Sequence, residues 1–506
     1  MKKLALIVAL ITSFSLAAAA DTARGVVFND ANGNGARDPG EKGMSGVAVS
    51  NGRDVVRTDS KGRWELPYDD DVILFVVKPT GWMTPLSADN LPRFYYIHRP
   101  AGAPPTDVPG VGPTGPLPES IDFALRKQKE PRKFQVLLFG DTQVNDVAEL
   151  NYAARDVVEE LVGNGAAFGI SLGDNVGDSP ELQEPLVGAV GRIGIPWYNT
   201  IGNHDGTPGA REDSVSDDIF ERIYGPPTYA FEYGGVSFIV LDSILVKEKG
   251  YDGGFREDQV AFVKNYLDGV PHDRLIVMTM HIPFRGKSPL AMFDVLAGRP
   301  HTFSVAAHTH TMFHVFFDET RGWKGPNPHH QFVNGTVCGS WWAGLRDETG
   351  IPHSVMNDGA PNGYAVATFD GASYKIEYKA ARRPADYQMN IYLPDEIASA
   401  DVEKTEVLVN VFAGSENSKV EMRADGGKWL PLDQTTTFDP FCVRMYQENK
   451  FNQNESLGYH FDEPREITHM WKSKLPRLAP GAHAIEVRTK DMFGHTYSAR
   501  KVVRVL

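Results

Sequence analysis

Short apolar runs alternate with helical patterns through the middle of the chain. Buried strands are predicted by runs made up mostly of apolar residues, at 134–140, 168–173, 236–242 and 275–280. Apolar residues at helical spacing within 147–161 and 259–267 predict helices between these strands. The alternation predicts a layered α/β domain, which we expect to span 131–381.

Both ends of the chain follow a β pattern instead. Turns rich in Gly, Asn and Asp separate five short runs near the start, at 24–30, 46–50, 54–58, 62–66 and 72–78. Strand patterns return near the end, at 407–412, 418–423, 484–488 and 502–505. The pattern predicts a small all-β sandwich on each side of the α/β domain, over 21–130 and 382–506.

Metal-ligand residues follow several of the predicted central strands. In chain order they are Asp141, Gln143, Asp174, Asn203, His281, His308 and His310. Ligands collect outside the carboxyl ends of the strands in layered α/β folds. Seven such donors could hold two divalent ions, and two metals form a clamp for displacement at phosphorus. The alternative is that these are ordinary polar residues, but burying so many without a cation would be costly.

Five motifs in this order resemble the calcineurin-like metallophosphoesterase superfamily. They read D-T-Q at 141–143, G-D at 173–174, G-N-H-D at 202–205, a lone His281, and A-H-T-H at 307–310. The resemblance covers about half the chain. It implies a four-layer α/β/β/α core, flanked here by two small β domains as in a bacterial exported subgroup of that superfamily.

The resemblance also implies a role for each motif residue. Asp141, Gln143 and His310 would hold the first metal, and Asn203, His281 and His308 the second, with Asp174 bridging the two. A hydroxide between the metals would attack phosphorus. His204 would stabilise or protonate the leaving oxygen, with Asp205 or Asp178 to orient its ring.

Gln143 departs from the family pattern, which has histidine at that position. An amide oxygen is a neutral, hard donor that binds zinc or iron less well than imidazole does. The first site is therefore expected to favour manganese or to bind its metal less tightly. Manganese, iron and zinc all remain open as the metal. Ala307 replaces the glycine before the last histidine pair, which is a milder change.

The first twenty residues resemble a secretory signal peptide. Lys2 and Lys3 precede an apolar stretch, and three alanines at 18–20 suit a cleavage site. Loss of those two lysines would take the net charge from −14 to −16. We therefore expect a periplasmic or secreted protein with no transmembrane segment, and possible association with the envelope through the β domains. Its acidic surface argues against a nucleic-acid polymer as partner.

Residues 30–41 match the spacing of a calcium-binding loop. The oxygen-bearing positions are Asp30, Asn32, Asn34, Asp38 and Glu41. A structural calcium ion is one interpretation, and a plain turn rich in Asp and Asn is the other. Cys338 and Cys442 likewise leave two alternatives open, either one disulfide or two buried free thiols.

A candidate substrate pocket is formed by four residues after the last ligands, His329, His330, Trp341 and Trp342. Paired tryptophans also serve as core or rim packing. Arg285, Lys287 and Arg346 are candidates for pairing with phosphate oxygens, against the alternative of solvated surface charge.

The sequence predicts an exported enzyme with two metals that hydrolyses a phosphodiester or pyrophosphate bond in a small molecule. A phosphomonoesterase of the same fold is one alternative. A non-catalytic binding protein of the envelope is the other, and Gln143 and the two β domains support it.

Overall fold

The structure is a computed structural model that describes residues 21–451 and 463–506. The predicted signal peptide at 1–20 lies outside these residues. Strands β1 to β8 form the N-terminal part: β1 (Thr22–Asn29), β2 (Ala48–Ser50), β3 (Val55–Arg57), β4 (Arg63–Pro67), β5 (Val72–Val76), β6 (Trp82–Met83), β7 (Tyr95–His98) and β8 (Phe123–Lys127).

Strands β9 to β21 form the central part. They are β9 (Lys133–Phe139), β10 (Phe168–Ser171), β11 (Trp197–Asn199), β12 (Tyr229–Tyr233), β13 (Val236–Leu241), β14 (Ile244–Val246), β15 (Tyr251–Gly253), β16 (Ile276–Met280), β17 (Thr302–Ala306), β18 (Phe313–Phe317), β19 (His329–Val333), β20 (Gly363–Asp370) and β21 (Ser373–Ala380).

Strands β22 to β30 form the C-terminal part. They are β22 (Met389–Tyr392), β23 (Glu396–Ile397), β24 (Glu406–Val411), β25 (Lys419–Ala424), β26 (Leu430–Pro431), β27 (Asp433–Thr437), β28 (Ile467–Lys474), β29 (Gly481–Lys490) and β30 (Thr496–Val505). The three groups of strands fall inside the ranges predicted for three domains, whose boundaries stay a prediction.

The helices lie mainly in the central part. They are α1 (Val147–Ala153), α2 (Glu159–Leu161), α3 (Gln183–Val190), α4 (Asp218–Tyr224), α5 (Glu257–Leu267), α6 (Leu290–Leu296) and the C-terminal α7 (Pro440–Phe451). A π-helical turn, Ala154–Val158, joins α1 to α2, so helix covers the predicted 147–161. None of the helices in the described residues has the length and apolar character needed to span a membrane.

Two sheets packed face to face make up the central part. One has the strand order β11-β10-β9-β20-β21, and the other β12-β13-β16-β17-β19-β18. Aromatic rings fill the space between them, such as Phe168 against Phe238 with ring centroids 5.2 Å apart. Strands β9, β10 and β11 are parallel, as are β13, β16, β17 and β19.

Helices cover the outer face of each sheet. Val157 and Leu186, on the α1–α2 and α3 segments, pack against Phe139 of β9 in one apolar cluster. Phe262 of α5 and Phe293 of α6 belong to the large cluster that contains the second sheet. The predicted fold class, a four-layer α/β core with flanking β domains, is confirmed.

Each flanking part pairs two antiparallel-rich sheets around its own core. The N-terminal sheets have the orders β4-β1-β8-β6 and β3-β2-β5-β7. The C-terminal sheets have the orders β22-β24-β28-β27 and β23-β30-β29-β25-β26. Trp64 stacks on Phe123 in the first sandwich, and Trp471 lies in the core of the second.

A buried lysine links the N-terminal sandwich to the central part. The Lys78 ammonium lies 2.7 Å from Glu130 Oε1 and donates to the Glu232 carbonyl at 2.6 Å. The side chains of Lys78 and Glu130 are 6% and 1% exposed. Burial lowers the pKa of Lys78, and the opposite charge of Glu130 limits that fall. The pair therefore fixes the orientation of the two parts through a desolvated contact.

A buried polar network links the C-terminal sandwich to the segment that follows β19. Asn410 of β24 donates to the carbonyl of Asp358 at 2.7 Å and to Asp439 at 2.9 Å. His469 of β28 contacts Asn410 and lies 3.4 Å from Asp358 Oδ2. That same carboxylate accepts the backbone N–H of Met312, two residues after His310.

Replacing Lys78 with methionine would leave Glu130 buried without its cation. We expect the free energy of unfolding to fall by about 3–5 kcal/mol, measured by denaturant titration. The matched control is Lys324→Met, because Lys324 and its partner Asp294 are 66% and 61% exposed. That control should lose less than about 1 kcal/mol. Equal losses in both variants would contradict the assigned role of the buried pair.

Candidate metal centre

The seven predicted ligands are brought together at one edge of the two central sheets. Asp141 and Gln143 follow β9, Asp174 follows β10, Asn203 follows β11, and the three histidines follow β16 and β17. Close approaches of glycine backbone make this convergence possible. A Cβ at Gly202 would lie 1.9 Å from the Asp174 nitrogen, and one at Gly173, whose φ is +91°, would meet the His281 ring.

One half of the centre converges on a single nitrogen of His281. Its Nε2 atom lies 3.1 Å from Asn203 Oδ1, 3.1 Å from His308 Nδ1 and 3.2 Å from Asp174 Oδ2. Ligands held at about 2.1 Å from one first-row cation lie about 3.0–3.4 Å from each other. Asp174, His281 and His308 thus form a group that could hold a metal ion. The four residues fit the second metal site expected from the sequence.

The other half contains Asp141, Gln143 and His310. His310 Nε2 lies 3.7 Å from Asp141 Oδ1, and Gln143 Nε2 lies 3.5 Å from Asp174 Oδ2. Asp141 is fully buried, and its Oδ1 atom has no hydrogen-bond partner among the described residues. A buried carboxylate oxygen without a donor needs a cation. The donor set fits the expected first site, although the individual ligand assignments stay a prediction.

Backbone hydrogen bonds fix which nitrogen each histidine presents. His281 Nδ1 contacts the Leu172 carbonyl at 2.9 Å, and His310 Nδ1 contacts the Gly339 carbonyl at 2.6 Å. A nitrogen that donates to a carbonyl leaves the other, Nε2, for a cation. Both rings therefore direct a lone pair toward the acidic ligands.

Five of the predicted ligands have a left-handed backbone, which non-glycine residues rarely adopt. Their φ angles are +28° at Asp141, +43° at Gln143, +50° at Asp174, +71° at His308 and +50° at His310. Such conformations cost of order 1–3 kcal/mol each and persist only where surrounding structure imposes them. Here the sharp bends after the strands turn the side chains inward.

Without a cation, the centre holds charge as an ion pair. Burial would lower the pKa of His281, but the Asp174 charge raises it to about 9. Burial would raise the pKa of Asp174, but His281 lowers it to about 2. Burial and the charge of His281 lower the pKa of His308 to about 3. A divalent cation would replace the proton on His281, so metal uptake would release protons.

His204 stands beside the centre with its ring held by an aspartate. Its backbone N–H donates to Asp174 Oδ1 at 2.8 Å, and its Nδ1 lies 2.8 Å from Asp178 Oδ1. The side chain is 33% exposed, so a substrate can reach it. Burial would lower its pKa, but the charges of Asp174 and Asp178 outweigh burial and raise it.

Of the two candidates for orienting His204, Asp178 makes the contact. Asp205 has another task, since its carboxylate accepts the backbone N–H groups of Gly202, Asn175 and Val176. It therefore ties together the two loops that carry Asp174 and Asn203.

Cys338 lies against the first half of the centre, which the sequence did not suggest. Its Sγ atom is 3.8 Å from Gln143 Oε1 and 3.8 Å from His310 Nδ1. Burial raises the pKa of the thiol, so it stays protonated. An amide binds a cation only through oxygen. If the Gln143 amide turns Oε1 toward Asp174, its Nε2 faces Cys338, so the sulfur supports the amide in either orientation.

Both cysteines are free and buried, so the disulfide alternative is wrong. Cys442 Sγ contacts the carbonyl of Met356 at 3.3 Å and touches none of the predicted ligands. The bridge is absent because the two thiols face different partners in separate parts of the fold.

The candidate substrate pocket is only partly assembled. His329 and His330 begin β19, at the end away from the ligands, and are packed in the core. His329 contacts Ser304 and Thr302, and His330 contacts Tyr374. Their inclusion was wrong, because the apolar neighbours of β19 bury them as core residues.

The two tryptophans of that pocket have different positions. Trp341 stacks on the His310 ring with centroids 4.1 Å apart and is partly exposed. Trp342 is 4% exposed, lies in the core, and donates its indole N–H to the Thr142 carbonyl. Only Trp341 is placed to meet a substrate.

The loop at 30–41 folds around its own acidic side chains. Asp30 is buried and accepts the backbone N–H groups of Gly33, Asn34 and Gly35. Glu41 accepts those of Ala31 and Asp38, and the Asn32 and Asn34 amides donate to Asp38. Calcium at this loop stays a prediction.

Three family models match successive parts of the sequence. Residues 31–106 match the N terminal of Calcineurin-like phosphoesterase, 134–312 match Calcineurin-like phosphoesterase, and 331–497 match its C terminal. The central match contains all seven predicted ligands and His204. No curated protein matches the chain.

Solved structures with a similar fold include three phosphoesterases. The purple acid phosphatase of yellow lupin (Lupinus luteus) is 11% identical with a TM-score of 0.37, covering 66% of each chain. NAD nucleotidase of Haemophilus influenzae is 13% identical with a TM-score of 0.26, covering 60% of this chain and 54% of that one. A Sphaerobacter thermophilus metallophosphoesterase is 16% identical with a TM-score of 0.24, covering 49% and 89%. At TM-scores this low, the similarities support no conclusion about activity.

Replacing Cys338 with alanine would remove the support of the Gln143 amide. We expect the affinity of the first site for manganese to fall about tenfold, while the second site is unchanged. Titration calorimetry on metal-free protein measures both sites. Cys442→Ala is the matched control, a second buried thiol, and should bind manganese as the wild type does. Equal affinities in both variants would exclude a role for Cys338.

Proposed function

Because this chain belongs to the calcineurin-like phosphoesterases, we propose that it hydrolyses a phosphodiester or pyrophosphate bond in a small molecule. Two divalent cations would occupy the centre, and the protein would work in the periplasm or outside the cell. The signal-like sequence at the N-terminus supports export.

The observation that carries this proposal is the position of His204. Its backbone is bound to Asp174, its ring is held by Asp178, and its side chain is accessible. A structural metal site has no use for an accessible proton donor at its edge. A hydrolase does, because the leaving oxygen must gain a proton as its bond to phosphorus breaks.

The donor set defines what the chain contributes to this chemistry. Two divalent cations, when bound, would lower the pKa of water and polarise the phosphoryl oxygens. Asp141, Gln143 and His310 would hold one, Asn203, His281 and His308 the other, and Asp174 both. The amide of Gln143 favours manganese at the first site, with iron and zinc as alternatives.

Gln143 bears on the binding-protein alternative. Its amide oxygen weakens one ligand of seven but leaves both halves of the centre with histidine and carboxylate donors. His204 argues against a centre that only binds, so hydrolysis is the conclusion we favour. A monoesterase would use the same residues, and only substrate comparison separates it from a diesterase.

We also propose that the loop at 30–41 binds a structural calcium ion. Oxygen atoms of five side chains lie on this loop, which suits a hard cation. Calcium would replace the hydrogen bonds that the Asp30 and Glu41 carboxylates make with backbone N–H groups.

Replacing His204 with alanine should lower kcat by about a hundredfold to ten-thousandfold, because the leaving oxygen loses its proton donor. Bound metal should be unchanged, since His204 is not a predicted ligand. His272→Ala, at an exposed histidine, is the control and should keep full activity. Unchanged turnover in the His204 variant would refute its role.

Elemental analysis of the purified protein should find two transition-metal ions and one calcium ion per chain. Chelation should abolish hydrolysis, and added manganese should restore it. We expect hydrolysis of bis(p-nitrophenyl) phosphate to exceed that of p-nitrophenyl phosphate by at least tenfold in kcat/KM. A reversed preference would favour the monoesterase, and metal binding without hydrolysis would favour the binding protein.

A further inference from the structure

A tyrosine stands exposed at the rim of the metal centre. Tyr251 begins β15, in the β14–β15 hairpin that follows the end of β13. It is 41% exposed, and its ring lies edge-on to the predicted ligand His308 with centroids 6.2 Å apart. An exposed aromatic face next to a reaction centre is a surface on which a planar group can stack.

An arginine lies on the same rim. Arg285 follows His281 by four residues and is exposed. Its positive charge lowers the pKa of both His308 and Tyr251, so it lies near both side chains. Within residues 21–451 and 463–506, no ion pair or side-chain hydrogen bond is found for its guanidinium. An arginine without a partner beside a phosphate site can bind an oxyanion through two parallel N–H groups.

We propose that the site takes a nucleoside diphosphate derivative, with one phosphate at the metal centre, the second on Arg285 and the base stacked on Tyr251. This inference rests on the proposed function and names its substrate class. Hydrolysis would add water across the pyrophosphate. One new P–O bond forms, the bridging P–O bond breaks, and the leaving phosphate takes its proton from His204.

The surroundings favour a nucleotide over a lipid. The hairpin tip at 247–250 reads Lys-Glu-Lys-Gly and is largely exposed, so no apolar channel for an acyl chain begins there. A negative net charge of −14 disfavours long polyanions but leaves a single pyrophosphate acceptable beside Arg285. Stacking on tyrosine tolerates any base, so the base identity is left open.

Three probes separate the contributions of base and second phosphate. ADP-ribose carries both, the p-nitrophenyl ester of thymidine 5′-monophosphate carries the base alone, and methyl p-nitrophenyl phosphate carries neither. The variants are Arg285→Ala, Tyr251→Ala and Tyr251→Phe. Lys287→Ala is the matched control, because Lys287 is another exposed cation on the same loop. Each kcat/KM is expressed relative to the wild type on the same probe.

Arg285→Ala should lower kcat/KM at least tenfold on ADP-ribose and less than twofold on methyl p-nitrophenyl phosphate. Tyr251→Ala should lower it about tenfold on both base-bearing probes. Tyr251→Phe and Lys287→Ala should stay within twofold on all three. Metal content should be equal in every variant, which separates substrate contacts from damage to the centre.

Two results would overturn the inference and leave the proposed function standing. One is hydrolysis of methyl p-nitrophenyl phosphate without hydrolysis of ADP-ribose. The other is an equal loss on all three probes in the Arg285 or Tyr251 variants. If the metal-loaded wild type hydrolyses none of the probes, the proposed function fails and this inference fails with it.

Discussion

Buried lone pairs that face one another dominate the energetics of the central part. Asp141, Asp174 and His281 are almost completely buried, and the acceptor atoms they share outnumber the available donors. A cation removes this conflict by giving all of them one common partner. Strand register, the inward bends after the strands and the tautomers of the histidines all serve to keep those atoms converged.

The flanking sandwiches support this arrangement from two sides. Asp205 and the strands of the central sheets hold the ligands after β10 and β11. The Asp358, Asn410 and His469 network ties the segment after β19 to the C-terminal sandwich. That segment also carries Cys338 and Trp341, which touch the first half of the centre. The C-terminal sandwich thus contributes to the centre through the loop that it holds.

The sequence was sufficient for the order of the elements and for the residues that converge. Apolar runs ending in polar ligands carry that information, because the carboxyl ends of parallel strands share one edge. The observed β9, β10 and β16 lie within the predicted strands, and the helix predicted at 259–267 is α5.

Distances between side chains were beyond the sequence. Nothing in the pattern around Cys338 signals its contact with Gln143, because the two are far apart in the chain. The choice between Asp178 and Asp205 likewise depends on loop geometry. His329 and His330 were misassigned because two polar letters at the start of a strand look like a site, although β19 is covered on both faces.

The left-handed backbone at position 143 limits how the centre can change over evolutionary time. Side chains branched at Cβ are sterically disfavoured at such a φ angle, so valine, isoleucine and threonine are poor replacements there. Exchange at this position is filtered first by backbone shape and only then by affinity for metal. Glutamine passes the first filter, which gives a steric reason why drift away from histidine led to another unbranched polar side chain.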